Sequence, residues 1–250
     1  MKKIFLILFA GCAVLLTSCF ETVREITLND DGSGVYVNTN DMGKLLTIAK
    51  NMGAASSDKM PQQPIDTSFS FASAADSIPD LSAEEKELLK KGNMHVIMNL
   101  EDEKFISTMN FPFTSLDDIP KFNRLSGKMM MVSMKSRMPA EMSLGSQQMP
   151  EPSSFDDYFT LEFSKGELKK KLNKEKYANV DKDDFLNGLK QAGAMGIPVT
   201  TTYIINLPRP AEKAEGKNVK LSENKLKVTI TSTMDDFYDN PESLEFKIKY

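Results

Sequence analysis

Three stretches of the chain alternate between apolar and polar residues around polar turns, and this pattern limits the fold more than any other feature. In MHVIMNLEDEKFISTMNFPF, Met94, Val96, Met98 and Leu100 alternate before an acidic turn, and Phe105, Ser107, Met109 and Phe111 alternate after it. A period of two marks half-buried strands, because successive side chains on a strand point to opposite faces. VREITLNDDGSGVYVN and NVKLSENKLKVTIT show the same design, the latter with Leu226, Val228 and Ile230 on one face. Each stretch therefore reads as a β-hairpin. Their turns, TLNDDG, NLEDEK and KLSENK, each place a Leu before an acid-rich turn, which suggests an internal repeat or simply shared turn chemistry.

Further strands are expected at YFTLEF, TTYIINL and the C-terminal SLEFKIKY, where Leu244, Phe246, Ile248 and Tyr250 alternate with charged residues. Helical spacing appears in DMGKLLTIAKNMG, with Asp41 as cap and Gly53 as stop. SAEEKELLKKG carries Ser82 and Glu85 at capping-box spacing, and SLDDIPKFNRLSG carries Ser115 and Asp118 likewise. DKDDFLNGLKQAG is expected to bury Phe185, Leu186 and Leu189. Strands and helices mix without regular βαβ alternation, so the fold class is α+β: an antiparallel sheet built from β-hairpins with helices packed on it. Two stretches rich in Ser, Pro and small residues, near 54-80 and 138-154, read as loose insertions in that one unit.

The chain opens with MKKIFLILFAGCAVLLTSC, a basic head followed by an apolar run from Ile4 to about Leu16. A run of roughly 13 residues suits the apolar region of a secretion signal. Crossing a bilayer takes about 20. Leu16-Thr17-Ser18-Cys19 resembles the lipobox of bacterial lipoprotein precursors. That resemblance implies a diacylglyceryl group on the Cys19 sulfur, cleavage before Cys19, and acylation of the new amine, with palmitate-type chains as the anchor. It divides the chain into residues 1-18, the signal peptide, and residues 19-250, a single α+β domain. Cys12 is the lesser candidate, because Phe9 stands where the motif prefers Leu. These two cysteines are the only ones in the chain, so a lipidated mature protein has no disulfide and relies on its core. CFETV leads almost directly into a strand, which implies a body held close to its membrane.

Composition excludes several functions. The net charge of −4 and the absence of a concentrated basic surface argue against nucleic-acid binding. His95 is the only histidine and lies in an alternating strand, so it is read as a structural residue and not as a catalytic one. Five Asp pairs (Asp30-Asp31, Asp117-Asp118, Asp156-Asp157, Asp183-Asp184 and Asp235-Asp236) offer carboxylates for Ca²⁺ or for glycoside hydrolysis. Their places in turns and first helical turns have a simpler explanation in helix-dipole and turn chemistry. DKDDFLNG also departs from the EF-hand pattern, with Phe185 at its fifth position. The methionine cluster Met129, Met130, Met131, Met134, Met138, Met142 and Met149 suits Cu(I) by its thioethers, or an adaptable contact surface, or a core strand MMMVSM running into a loop. No metal site, catalytic residue or cofactor is assigned.

The start of the mature chain also resembles LppM-like lipoproteins. A strand follows the lipidated cysteine at once, then a TLN-D-GSG turn and a second strand (Ile26 to Val37), and YIINLP (Tyr203 to Pro208) matches a later strand. This resemblance implies a class rather than an activity. The expected function is a membrane-tethered, non-enzymatic cell-envelope lipoprotein that scaffolds or contacts an envelope protein partner. The alternative is binding of a lipid or another apolar small molecule. A hydrolase or a Met-rich copper-binding protein is less expected. Phe20 after the cysteine, in place of an Asp, favours the outer membrane over the inner membrane, on the exported side.

Overall fold

The computed structural model describes residues 20–44, 63–76, 78, 81–137, 153–164, 166–194 and 199–250. Its strands are β1 (Phe20–Leu28), β2 (Gly34–Asp41), β3 (Ile65–Ser70), β4 (Asn93–Asn99), β5 (Lys104–Phe113), β6 (Phe159–Ser164), β7 (Glu167–Leu172), β8 (Val199–Asn206), β9 (Lys213–Glu215), β10 (Val219–Leu221), β11 (Lys227–Thr233) and β12 (Phe246–Lys249). Its helices are α1 (Ala72–Ala75), α2 (Ala83–Lys90), α3 (Asp118–Arg137), α4 (Lys174–Tyr177), α5 (Asp184–Ala194) and α6 (Met234–Asp239). The strands form an eight-stranded sheet, β10-β11-β8-β1-β2-β5-β4-β3, and a four-stranded sheet, β6-β7-β12-β9. The fold is α+β with antiparallel pairing dominant, as expected. The exception is β1 with β8, which run parallel in the middle of the large sheet. No hairpin joins them, so the period-two pattern alone does not fix their relative direction.

All three expected hairpins form: β1–β2, β4–β5 and β10–β11. Each turn holds one residue with positive φ, namely Gly32 (86°), Glu103 (52°) and Lys225 (56°). The Leu before each turn meets a different environment. Leu28 is buried, Leu100 half-buried and Leu221 exposed. The likeness of the three turns therefore lies in turn chemistry and not in packing.

The inner face of the large sheet is apolar at one end. Val228, Ile205, Ile26, Tyr36 and Phe111 lie on one line across β11, β8, β1, β2 and β5. Helix α3 packs on this line through Phe122, whose ring stacks on Phe111 at 4.2 Å, and through Leu125 and Met129. Leu168, Phe246, Ile248 and Tyr250 bring the small sheet into the same core. A second core gathers Phe155, Tyr158, Phe159, Val180, Leu186, Val199, Met234, Phe237 and Leu244. Phe185 and Leu189, expected to be buried with Leu186, are half-buried against it.

Two expectations need correction. MMMVSM is not a strand, because α3 runs without a break from Asp118 to Arg137. Leu116, Ile119, Phe122, Leu125 and Met129 keep helical spacing across Gly127, and unbranched Met is a good helix former. The stretch near 54-80 is not loose throughout. Residues 65–70 form edge strand β3, and Phe71 is fully buried after it. Here Ile65, Thr67 and Phe69 alternate with Asp66, Ser68 and Ser70, a strand pattern that small polar residues obscure. Most of the helix expected at DMGKLLTIAKNMG, and residues 138–152 of the second insertion, lie outside the described residues.

Helix α2 shows the capping box its sequence specifies. Glu85 N–H donates to Ser82 Oγ at 3.2 Å, and Ser82 N–H donates to Glu85 Oε2 at 2.9 Å. These bonds hold the Glu85 carboxyl below its usual range. Ser82→Ala removes one half of the box and should destabilise the protein by about 1 kcal/mol, read from the midpoint of urea unfolding.

Candidate functional site

Cys19, Cys12 and the signal segment lie outside the described residues. The structure does show what the anchor would be attached to. Strand β1 begins at Phe20, with β2 on one side and β8 on the other. Glu21 pairs with Asp41 and Phe20 with Val199. A pull on residue 19 would thus act directly on a central strand. No helix among the described residues is long and apolar enough to cross a membrane.

The other candidates drawn from the sequence are scattered. His95 is on the outer face of β4, with Nε2 2.7 Å from Asp66 Oδ1 on β3. That is a cross-strand pair at an exposed sheet edge. Most of the Asp residues cap turns or helices. Asp31 accepts from Ser33 N–H and Oγ–H, while Asp30 pairs with Arg209. Asp118 accepts from Ser115 N–H, Asp157 from Ser154 N–H, and Asp236 from Thr233. Asp183 accepts from Ser153, from Tyr158 and from the Leu186 N–H that opens α5. No three His, Cys, Asp or Glu among the described residues converge as a metal site. Met129 is buried in the core under α3, and Met138, Met142 and Met149 lie outside the described residues.

A buried charge cluster went unrecognised in the sequence. Arg24 on β1 and Lys170 on β7 both reach Asp156, in the turn Phe155–Tyr158. Lys170 Nζ lies 2.7 Å from Asp156 Oδ1, and Arg24 Nη1 donates to Tyr203 Oη at 2.8 Å. Lys170 Nζ also sits 4.2 Å from the centre of the Tyr203 ring and 4.6 Å from that of Phe159. The three charged side chains are 10%, 5% and 19% exposed for Arg24, Lys170 and Asp156. Burial pushes the Lys170 ammonium well below its ordinary pKa, and the Arg24 charge adds to the effect. One carboxylate therefore holds two cations between the sheets. The signal was a cation inside an inward-facing file: Lys170 follows Leu168, and Arg24 stands between Thr22 and Ile26.

This cluster belongs to a polar belt between the two cores. Ser232, Thr201, Thr22, Asn40 and Ser107 fall on one line across the sheet. All but half-buried Asn40 are buried. Thr22 Oγ1 donates to Asn40 Oδ1 at 3.0 Å and Ser232 Oγ to the Thr201 carbonyl at 3.3 Å. Such an arrangement orients side chains and locks the sheets. It presents no nucleophile with a paired base.

Tyrosines around the second core and at the C-terminus are held neutral. Burial raises Tyr238 to about 12, helped by the Asp183 charge, and burial raises Tyr250 to about 12. Their unfolded value is near 10. The folded state thus keeps these protons after the unfolded state has lost them. Stability is full below pH 10 and falls as the pH rises from 10 towards 12. Urea midpoints measured from pH 9 to 12 should decline across that window, and Tyr238→Phe should flatten the decline.

Two open surface depressions stand out. One, of about 500 Å³, lies between α4 and the segment Asp239–Glu242. The other, of about 330 Å³, lies between the β1–β2 turn, residues 114–117 and β6. No protein-family model matches the chain, and no curated protein matches its sequence. Among solved structures, it is similar to the NMR structure of the folded domain of the Mycobacterium tuberculosis LppM protein. The identity is 9% and the TM-score 0.36, over 93% of this chain and 91% of that one.

Proposed function

We propose that this chain is an exported lipoprotein, tethered through Cys19, that works in the cell envelope by contact with a partner protein and not by catalysis. The observation that carries the reading is the start of β1. A residue acylated at position 19 is followed at once by a central strand of an eight-stranded sheet, so the folded body has no stalk on which to leave its membrane. Phe20 in place of an Asp fits carriage to an outer membrane. Contact is favoured over an interior ligand by the way the core is filled. Phe71, Phe111 and Phe122 are fully buried, and their rings pack on one another.

In-cell crosslinking followed by purification through a C-terminal tag tests the reading. One abundant envelope protein should co-purify reproducibly. Met138, Met142 and Met149 are the residues to replace with Ser in mapping the contact, because Met129 belongs to the core. Recovery without any reproducible partner would count against a contact role and favour a small apolar ligand.

A further inference from the structure

The β4–β5 hairpin is apolar on both faces at one end only. Met98 and Phe105 pair on the inner face, and Ile97 and Ile106 pair on the outer face. Ile65 of β3 adds to Met98, and Leu100 opens the turn. All six are half-buried, and none belongs to either apolar core. Most strands in this sheet have one covered face and one polar face, whereas this hairpin end is apolar on both faces and only half covered among the described residues.

The position of this end is what gives it meaning. Glu21 at the start of β1 is in register with Asp41, Ile106, Ile97 and Asp66 across β2, β5, β4 and β3. The hairpin end therefore emerges on the same side of the sheet as Phe20. With neighbouring strands about 4.8 Å apart, β4 stands about 14 Å from β1. Phe20 stands one residue beyond the register line and Leu100 three beyond it, so Leu100 reaches about 7 Å further along the strand direction at about 3.3 Å per residue. An anchor joined next to Phe20 would bring Leu100 and its neighbours to the level of the lipid headgroups.

We infer that the Ile97–Ile106 end of the β4–β5 hairpin is a second membrane contact, seated on the lipid surface that holds the anchor; this rests on the reading of Cys19 as lipidated. Chemistry limits its depth. The turn between the strands is Glu101-Asp102-Glu103, and all three residues are exposed. Carboxylates remain in the headgroup layer, so the hairpin lies shallow and prefers headgroups that carry an amine over anionic ones. Two contacts, at β1 and at β4, fix the tilt of the body in a way a single tether does not.

The chain contains no tryptophan, so one introduced indole gives an unambiguous signal. Lipidated full-length protein carrying Phe105→Trp, or in a separate sample Met98→Trp, is reconstituted into phosphatidylethanolamine–phosphatidylcholine vesicles containing brominated phosphatidylcholine. Leu221→Trp, on the exposed β10 at the opposite end of the sheet, is the control. Quenching several-fold stronger at 105 and 98 than at 221 is expected, and half replacement of the zwitterionic lipid by phosphatidylglycerol should weaken it. Equal, weak quenching at all three sites in protein that floats with the vesicles overturns the contact and leaves the tether standing. Protein that does not float overturns the tether and the contact with it. Equal quenching on anionic vesicles overturns the role given to the acidic turn.

Discussion

Asp156→Asn should destabilise the fold by about 3–5 kcal/mol, the cost of leaving buried charge without its partner. Asp156 faces both Arg24 and Lys170 and is only 19% exposed, so water does not replace the lost carboxylate. The amide keeps the shape and one acceptor oxygen but not the negative charge, and two cations then repel each other between the sheets. Lys170 has the easier escape. Burial already lowers its pKa, and with Asp156 gone it would shed its proton at a lower pH still. The variant should accordingly recover part of its loss as the pH is raised, and urea midpoints between pH 6 and 10 check this. Converting the whole cluster to apolar residues separates stability from charge balance. Arg24→Met, Asp156→Leu and Lys170→Met, together with Tyr203→Phe to retire the hydroxyl that Arg24 donates to, should match the natural protein or exceed it by about 1–4 kcal/mol. A loss below about 1 kcal/mol for Asp156→Asn would mean that the cluster is solvated.

Cys19→Ser should abolish acylation and, in chains from which the signal is still removed, move the protein out of the membrane fraction, while Cys12→Ser leaves its distribution unchanged. Each buried methylene of an anchor contributes about 0.8 kcal/mol, and two or three chains together hold a protein that one chain holds only marginally. The β4–β5 hairpin offers far less buried area, and its acidic turn opposes deep entry, so it does not retain the protein alone. Fractionation with mass spectrometry of the mature N-terminus provides the readout. Retention at the natural level of Cys19→Ser protein whose signal has been removed would place the anchor elsewhere and remove the basis for a contact role close to the membrane.

The readable parts of the fold were those in which neighbouring residues share one task. Met94 to Phe111 announces a hairpin because its alternation and its acidic turn are local. Ser82 and Glu85 announce a helix start because the capping bonds span three residues. The reading failed where a local feature was overruled. MMMVSM is open to reading as a strand, yet the core takes Phe122, Leu125 and Met129 from one helix that continues across Gly127. Ser68 and Ser70 look like loop residues, yet β4 supplies the hydrogen-bond partner that makes residues 65–70 a strand.

By itself the sequence determined the fold class, the three hairpins and the likeness of its first 19 residues to a lipoprotein precursor, because period-two patterns, caps and cleavage motifs are read over a few residues. Only the tertiary structure decided that β1 and β8 run parallel, that Arg24, Asp156 and Lys170 meet, and that the apolar end of β4–β5 shares a side with the start of β1. Most of those relations join residues far apart in the chain, up to 181 positions for Glu25 and Asn206 across β1 and β8. Burial, charge pairing and strand register act on distance in space, which the order of residues along the chain does not carry.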